Sequence, residues 1–372
     1  MESVLLSFFT SIAVVLAITP SIISVAKFKN IFDIPTEKKL HKNDTPRIGG
    51  TAIFIAVLFS YPLWRPPVQD PSFRYMLASM LILFLIGIKD DIIGLSPLRK
   101  LGAQLLVSLI IVMDGEGAIR LTGLHGFLNM EEVPYWASVA ISVFTIIVIT
   151  NSFNLIDGID GLAAGLGLIS SLAFGFWFFY TENLLHACLA FSLSGALLGI
   201  LFFNYSPAKI FIGDCGSLII GFLLSLLTIR FIELNAADKL QTYTYLPPSD
   251  NSSLITLIRD SGPQRFFIRC APAFAVAAMI VPLYDTLRSF LVRIVNKKSP
   301  FEGDTNHLHH RLLFIGFSQS QICVILFSVS ILFIVSAFLL RAMSSDRVII
   351  ILFALAVLLD LLLFLVKRAK TK

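Results

Sequence analysis

The sequence predicts an all-α, polytopic membrane protein of about eleven transmembrane helices, with the N-terminus outside. Three observations carry this expectation. Of 372 residues, 56% are hydrophobic and 14% charged, against about a quarter charged in soluble chains. Apolar runs of roughly 17–25 residues, the length that crosses a bilayer core as helix, recur throughout. The basic residues fall unequally on the two sides that alternating spans define.

The first segment, 3–27, follows a single early charge, Glu2, and precedes Lys29. A secretory signal starts with basic residues and has a shorter core, so this segment is expected to be a retained helix. Further segments are expected near 48–64, 73–88, 101–113 and 134–152, the last ending where VAISVFTIIVIT gives way to NSFNLIDGIDG. The remaining six lie near 160–180, 184–204, 214–233, 270–290, 319–341 and 346–366. With the N-terminus outside, nineteen of the 29 Lys and Arg residues fall on the first side, which is therefore cytoplasmic. The whole chain, 1–372, reads as one transmembrane domain. Its cytoplasmic loops lie near 28–47, 89–100, 151–160, 204–214 and 291–318, and an outer loop near 234–269.

Composition also excludes classes. The net charge of +5 suits topology and contact with anionic lipid heads, and no soluble basic domain exists to bind nucleic acid. Cys188, Cys215, Cys270 and Cys323 are scattered, without a CxxC pair, which suggests neither a disulfide framework nor a structural zinc site.

The unusual polar clusters collect on the cytoplasmic side. Asn151, Asn154, Asp157 and Asp160 repeat every three residues, which on a helix sets them along one flank. In lipid such an array would be very costly, so it must face water, a metal or a polar substrate. KDDIIGLSPLRKLGAQ carries the adjacent Asp90 and Asp91, GDCGS carries Asp214, and the stretch 284–313 carries Arg, Lys and HLHH. Taken singly, these read as a solvated helix end, a turn, positive-inside anchors and a loop. Together they weaken those readings. Asp and Asn oxygens suit Mg²⁺, which takes a few protein ligands plus phosphate oxygens. Arg, Lys and His suit the remaining phosphate charge. The composite describes a cytoplasmic active site for a diphosphate at a membrane surface.

HKNDTPRIGG, KDDIIGLSPLRKLGAQ, NSFNLIDGIDGLAAG, FNYSPAKIFIGDCGSLIIGF and SPFEGDTNHLHHRLL, in that order, resemble the polyprenyl-phosphate N-acetylhexosamine-1-phosphate transferases. The resemblance implies a shallow cytoplasmic active site on ten or eleven helices. It also implies a reaction in which a lipid-carrier phosphate attacks the sugar-linked phosphorus of a UDP-sugar, releasing UMP. Matched by motif, Asp214 and Asn154 are expected to hold Mg²⁺, for which Mn²⁺ can substitute. Asp90 and Asp91 match the catalytic acidic pair, and Lys100 the basic residue after it. Asp157 and Asp160 match the nucleotide side, and Asn151 of the same array is placed with the substrate. Arg293, Lys298, His307, His309 and His310 match a loop for the diphosphate and sugar.

HLHH resembles the branch that uses UDP-N-acetylglucosamine, and the loops imply undecaprenyl phosphate as acceptor in a bacterial inner membrane. The product would start a lipid-linked envelope glycan, such as lipopolysaccharide or teichoic acid. Anionic lipids are expected partners, and a homodimer stays open. Other UDP-N-acetylhexosamines and UDP-muramoyl-pentapeptide stay open as donors. A cation- or proton-coupled transporter is the rival from another class, but its site would lie near the midplane on broken helices. A structural scaffold is the third reading.

Overall fold

The structure, a computed structural model, describes residues 1–33, 45–113, 115, 117–124, 127, 132–235, 268–297 and 307–370. Each expected apolar segment is helical, because a chain among apolar surroundings must satisfy its own backbone amides. In order these are α1 (Glu2–Phe28), α2 (Gly50–Trp64), α3 (Ser72–Ile93), α4 (Pro97–Met113), α5 (Tyr135–Ile156), α6 (Leu162–Tyr180), α7 (Leu184–Asn204) and α8 (Gly213–Leu234). Then come α9 (Ala271–Ala278), α10 (Ile280–Val295), α11 (Leu308–Ile315), α12 (Gln319–Leu339) and α13 (Ser345–Lys370). Between α1 and α2 the two-residue strands β1 (Phe32–Asp33) and β2 (Thr45–Pro46) pair antiparallel.

Among the described residues, seven helices are long and apolar enough to cross a membrane: α1, α5, α6, α7, α8, α12 and α13. The expected segment 270–290 is two helices, α9 and α10, bent by 81° and forming an eighth candidate if taken as one span. The helix α2 is apolar but only 15 residues long, about 22 Å at 1.5 Å per residue. Lys298 and nearly all of the outer segment 234–269 lie outside the described residues.

The position of the site follows from α8. This helix is apolar and buried nearly all round, as a central helix must be. Glycines let its neighbours approach closely. A Cβ at Gly50 of α2 would lie 2.1 Å from Gly216 N, and one at Gly87 of α3 would lie 2.3 Å from Cys215 Cα. One at Gly221 would lie 2.6 Å from Thr150 Cα of α5. The start of α8 is therefore where α2, α3 and α5 meet. The segment after β2 is strapped onto it: Phe211 N donates to Pro46 O, Gly49 N to Phe211 O and Gly50 N to Ile212 O, each at 2.8 Å.

Candidate active site

Asp214, in the first turn of α8, is the hub of the polar cluster. Lys100 Nζ of α4 donates to its Oδ1 at 2.8 Å, and Arg47 Nη2 to its Oδ2 at 2.8 Å. Asn154 Nδ2, on the last turn of α5, donates to Oδ1 at 2.5 Å and to Ser217 Oγ at 3.0 Å. Three separate segments thus converge on one carboxylate of a fourth, α8. The backbone makes this possible at Gly213, whose φ of +69° belongs to glycine. A Cβ there would also meet Arg47 O at 2.2 Å and both Asp91 oxygens at 2.7 Å.

The adjacent Asp90 and Asp91 have different partners. Asp91 accepts from the backbone N–H of Asp214 at 2.8 Å and of Cys215 at 3.1 Å, and its Oδ1 lies 3.5 Å from Arg47 Nε. It caps α8 from another helix, giving two orphan donors of that N-terminus a charged acceptor. Asp90 instead accepts from Lys100 Nζ at 2.5 Å and from Leu95 N at 2.5 Å. Neither is a solvated helix end. Asp90 is buried and the Asp91 side chain is fully enclosed, because α3 packs closely against α8 at Gly87.

The Asn/Asp array is split by the chain. α5 stops at Ile156, so Asn151 and Asn154 are helical, Asp157 is its C-terminal cap and Asp160 lies in the following turn. The single flank expected for all four does not form, because the turn through Gly158 and Gly161 redirects the chain. Asn151 exchanges amide hydrogen bonds with Gln104 of α4 at 2.6 and 3.2 Å. Asp160 Oδ2 accepts from Ala208 N at 3.0 Å, fastening this turn to the loop before α8. Asp157 is half-buried. Burial, then the neighbouring Asp214 charge, pushes its carboxyl well above the ordinary range and favours the neutral form.

The histidines ride on α11, a helix that HLHH alone does not reveal. His307 Nδ1 bonds Asp285 Oδ2 at 2.7 Å, and Leu308 N donates to Asp285 Oδ1 at 2.7 Å. This orients the ring and caps the helix. The His307 and His309 rings stack 5.6 Å apart, and His310 lies 4.3 Å from His309. His309 is buried, and among the described residues neither ring nitrogen has a hydrogen-bond partner. Burial and the adjacent His310 and His307 hold its pKa well below the ordinary value, so the ring is neutral. It lies against the acidic turn, since a Cβ at Gly158 would come within 2.3 Å of His309 Nε2. Arg293 lies buried on α10, two turns beyond Asp285 on the same face, with its guanidinium 5.8 Å from the Phe290 ring.

The structure thus joins Asp90, Asp91, Lys100, Asn154 and Asp214, with Asp157 electrostatically coupled to them, and sets His309 against the same turn. Arg47 and Asp285 are additional members that the sequence reasoning did not single out. Each had a signal: Arg47 lies inside HKNDTPRIGG, and Asp285 is an acid in an apolar run, which by itself marks a functional position.

The donor set fits a hard cation. The carboxylates of Asp90 and Asp214 already share one positive charge, the Lys100 ammonium, at 2.5 and 2.8 Å. Among the described residues no group of three His, Cys, Asp or Glu closes into a cage. Two carboxylates suit Mg²⁺, whose remaining ligands are water and substrate phosphate, and such an ion would stand where the Lys100 ammonium now pairs with both. Asn154 presents its amide nitrogen to Asp214, so ligation through its oxygen needs that amide turned over.

Residues 73–232, which include Asp90, Asp91, Lys100, Asn154 and Asp214, match the family described as Glycosyl transferase family 4. The chain is 32% identical over 316 residues to decaprenyl-phosphate N-acetylglucosaminephosphotransferase of Mycolicibacterium smegmatis, covering 79% of this chain and 71% of the relative. It is 29% identical over 350 residues to a probable undecaprenyl-phosphate N-acetylglucosaminyl 1-phosphate transferase of Bacillus subtilis, covering 92% and 86%. Undecaprenyl-phosphate alpha-N-acetylglucosaminyl 1-phosphate transferase of Escherichia coli K12 is 25% identical over 307 residues, covering 81% and 74%. With its apolar helices and this acidic cluster, the chain belongs to glycosyl transferase family 4, as a multi-pass membrane member of the polyprenyl-phosphate N-acetylhexosamine-1-phosphate transferases.

Proposed function

We propose that this protein transfers N-acetylglucosamine 1-phosphate from UDP-N-acetylglucosamine to undecaprenyl phosphate, releasing UMP at the cytoplasmic face of a bacterial inner membrane. The observation that carries this is the Asp214 cluster, where two cationic side chains lie against three carboxylates at a helix N-terminus. The names of the relatives supply the substrate classes. In the reaction an oxygen of the lipid phosphate forms a bond to the sugar-linked phosphorus. The bond from that phosphorus to the UMP oxygen breaks, and UMP leaves with the electron pair.

The chief obstacle is the repulsion between two phosphate-bearing substrates, so positioning and charge do most of the catalysis. Arg47 and Lys100 exchange their carboxylate partners for phosphate oxygens as the substrates enter. Asp90, relieved of Lys100, takes the proton of the lipid phosphate as general base. Asp91 keeps Asp214 in place. Mg²⁺, held by Asp214 and Asn154 with Asp90 adjacent, would neutralise the donor diphosphate. Asp157 and Asp160 face the nucleotide, the neutral Asp157 as a hydrogen-bond donor, with Asn151 at the edge. His307, His309, His310, Arg293 and Lys298 take the diphosphate and sugar. Eleven spans with the N-terminus outside place all these loops on one face, where basic residues meet anionic lipid heads.

A single Asp and a neutral Asn bind Mg²⁺ weakly, since the ion dehydrates reluctantly. Metal and UDP-sugar should therefore strengthen each other's binding. UDP-N-acetylglucosamine titrations with and without Mg²⁺ test this. Asp214→Ala is expected to abolish the coupling, whereas Asp160→Ala weakens nucleotide binding and retains Mg²⁺ dependence. Full coupling in Asp214→Ala would place the metal elsewhere.

A further inference from the structure

α13 is a run of aliphatic residues interrupted by one acid, Asp360, among the exposed Leu361, Leu362, Phe364 and Leu365. The candidate span ends at Val366, so Asp360 lies about 9 Å inside it at 1.5 Å per residue. A carboxylate at that depth is costly and persists only with partners. Among the described residues it has two: Arg311 Nη1 donates to Oδ1, and Arg288 Nε lies 3.4 Å from Oδ2. Arg288 belongs to α10 and Arg311 to α11, so one carboxylate ties three helices together.

The surroundings make this tie matter. Beside it lies an apolar cavity of ≈ 240 Å³, lined by Leu308 and Leu312 of α11, Phe333 of α12 and Leu359 and Leu363 of α13. Leu308 and Leu312 line this cavity from α11 and carry its apolar attachment there. The ion pair of Arg311 with Asp360 adds a second, polar attachment to that apolar one. α11 has only eight residues, too short to be stable alone. Its second and third residues are His309 and His310.

We propose that Asp360 is a positioning residue for sugar-donor binding: through Arg311 it holds α11 so that His309 stays against Gly158. Asp360 itself bonds α10 and α11 and acts on the donor only through them. This rests on the reading of His309 as part of the donor site.

The test uses the full chain in lipid nanodiscs, with two readouts. Amide hydrogen exchange compares 307–315 with α5 as internal reference. Steady-state kinetics compare the KM for UDP-N-acetylglucosamine with that for undecaprenyl phosphate. Asp360→Asn is expected to speed exchange in α11 about tenfold, the effect of losing one charge-assisted hydrogen bond, with α5 unchanged. The KM for the UDP-sugar rises severalfold and that for the lipid does not, while Asp360→Glu restores both readouts. Should Asp360→Asn fail to insert, Arg288→Gln weakens the same grip and is expected to shift α11 exchange in the same direction. Unchanged α11 exchange in the variant that inserts would overturn the proposal. So would parallel deprotection of α5, or equal losses for both substrates. Exchange is read without turnover, so an inactive wild-type protein would remove the donor assignment while the tether is still tested.

Discussion

Replacing Asp91 by Ala removes both oxygens that accept from the backbone N–H groups of Asp214 and Cys215, at 2.8 and 3.1 Å. The side chain is fully enclosed, so water does not take over these bonds. A hydrogen bond to a charged acceptor contributes roughly 1.5–3 kcal/mol, and an unsatisfied buried donor is penalised on a similar scale. Arg47 also loses one of its acidic partners. Relief from burying the Asp91 charge offsets part of this, leaving a destabilisation of about 3 kcal/mol, in the range of a strong lost cap and more. Asp90→Ala differs, because Lys100 keeps Asp214 at 2.8 Å and reaches solvent. That change also takes the acceptor from Leu95 N, which is itself half-exposed, and is expected to lower stability by about 1–2 kcal/mol. Both variants should lose turnover, Asp90→Ala by removing the base and Asp91→Ala by releasing Asp214. Thermal unfolding of the purified variants, followed by Trp fluorescence alongside UMP release, separates the two. If Asp91→Ala unfolds with wild-type stability, Asp91 is no cap and the reasoning fails.

Three further outcomes are expected. Asp157 has a raised native pKa, so above the ordinary carboxyl range the folded state keeps a proton that the unfolded chain releases. Its contribution then falls as pH rises, by up to about 1.4 kcal/mol per unit. Asp157→Asn should accordingly gain stability on wild type as pH rises above the ordinary carboxyl range, and parallel denaturation curves would contradict the half-buried, neutral carboxyl. Gly158→Ala puts a Cβ 2.3 Å from His309 Nε2. It should raise the KM for the UDP-sugar about tenfold or more, as misplacement of a binding group does, with folded yield kept; an unchanged KM counts against His309. With the four cysteines replaced, a cysteine at Ser96 should react only from the cytoplasm and one at Glu182 only from outside. The reverse labelling would overturn the orientation.

Much of this architecture is legible in the sequence because bilayer thickness imposes a length on each apolar run. The polar clusters are legible too, since charge beside such runs is costly without a role. What stays hidden is pairing. Lys100 and Asp214 are 114 residues apart, and Arg47 and Asp214 are 167 apart. Chain spacing says nothing about which cation meets which acid. Asp90 and Asp91 read as one motif, yet neighbouring helical residues point about 100° apart, so one reaches Lys100 and the other α8. The period-three array read as one helical flank, but Gly158 and Gly161 end the helix in its middle. Asp285 and Asp360 are each a single acid in an apolar run. Only the packing of α10, α11 and α13 reveals what they hold.

The central claim is phosphoryl transfer of an intact sugar 1-phosphate at the Asp214 cluster. The measurement that tests it most directly follows the phosphorus attached to the sugar. The purified protein is incubated with undecaprenyl phosphate, Mg²⁺ and UDP-N-acetylglucosamine labelled with ³²P at that position. The account predicts that the label appears in a lipid diphosphate in equal amount to unlabelled UMP, and that Asp214→Ala abolishes both products. Label left on the nucleotide as UDP would mean that the sugar moved without its phosphate, and would contradict the account.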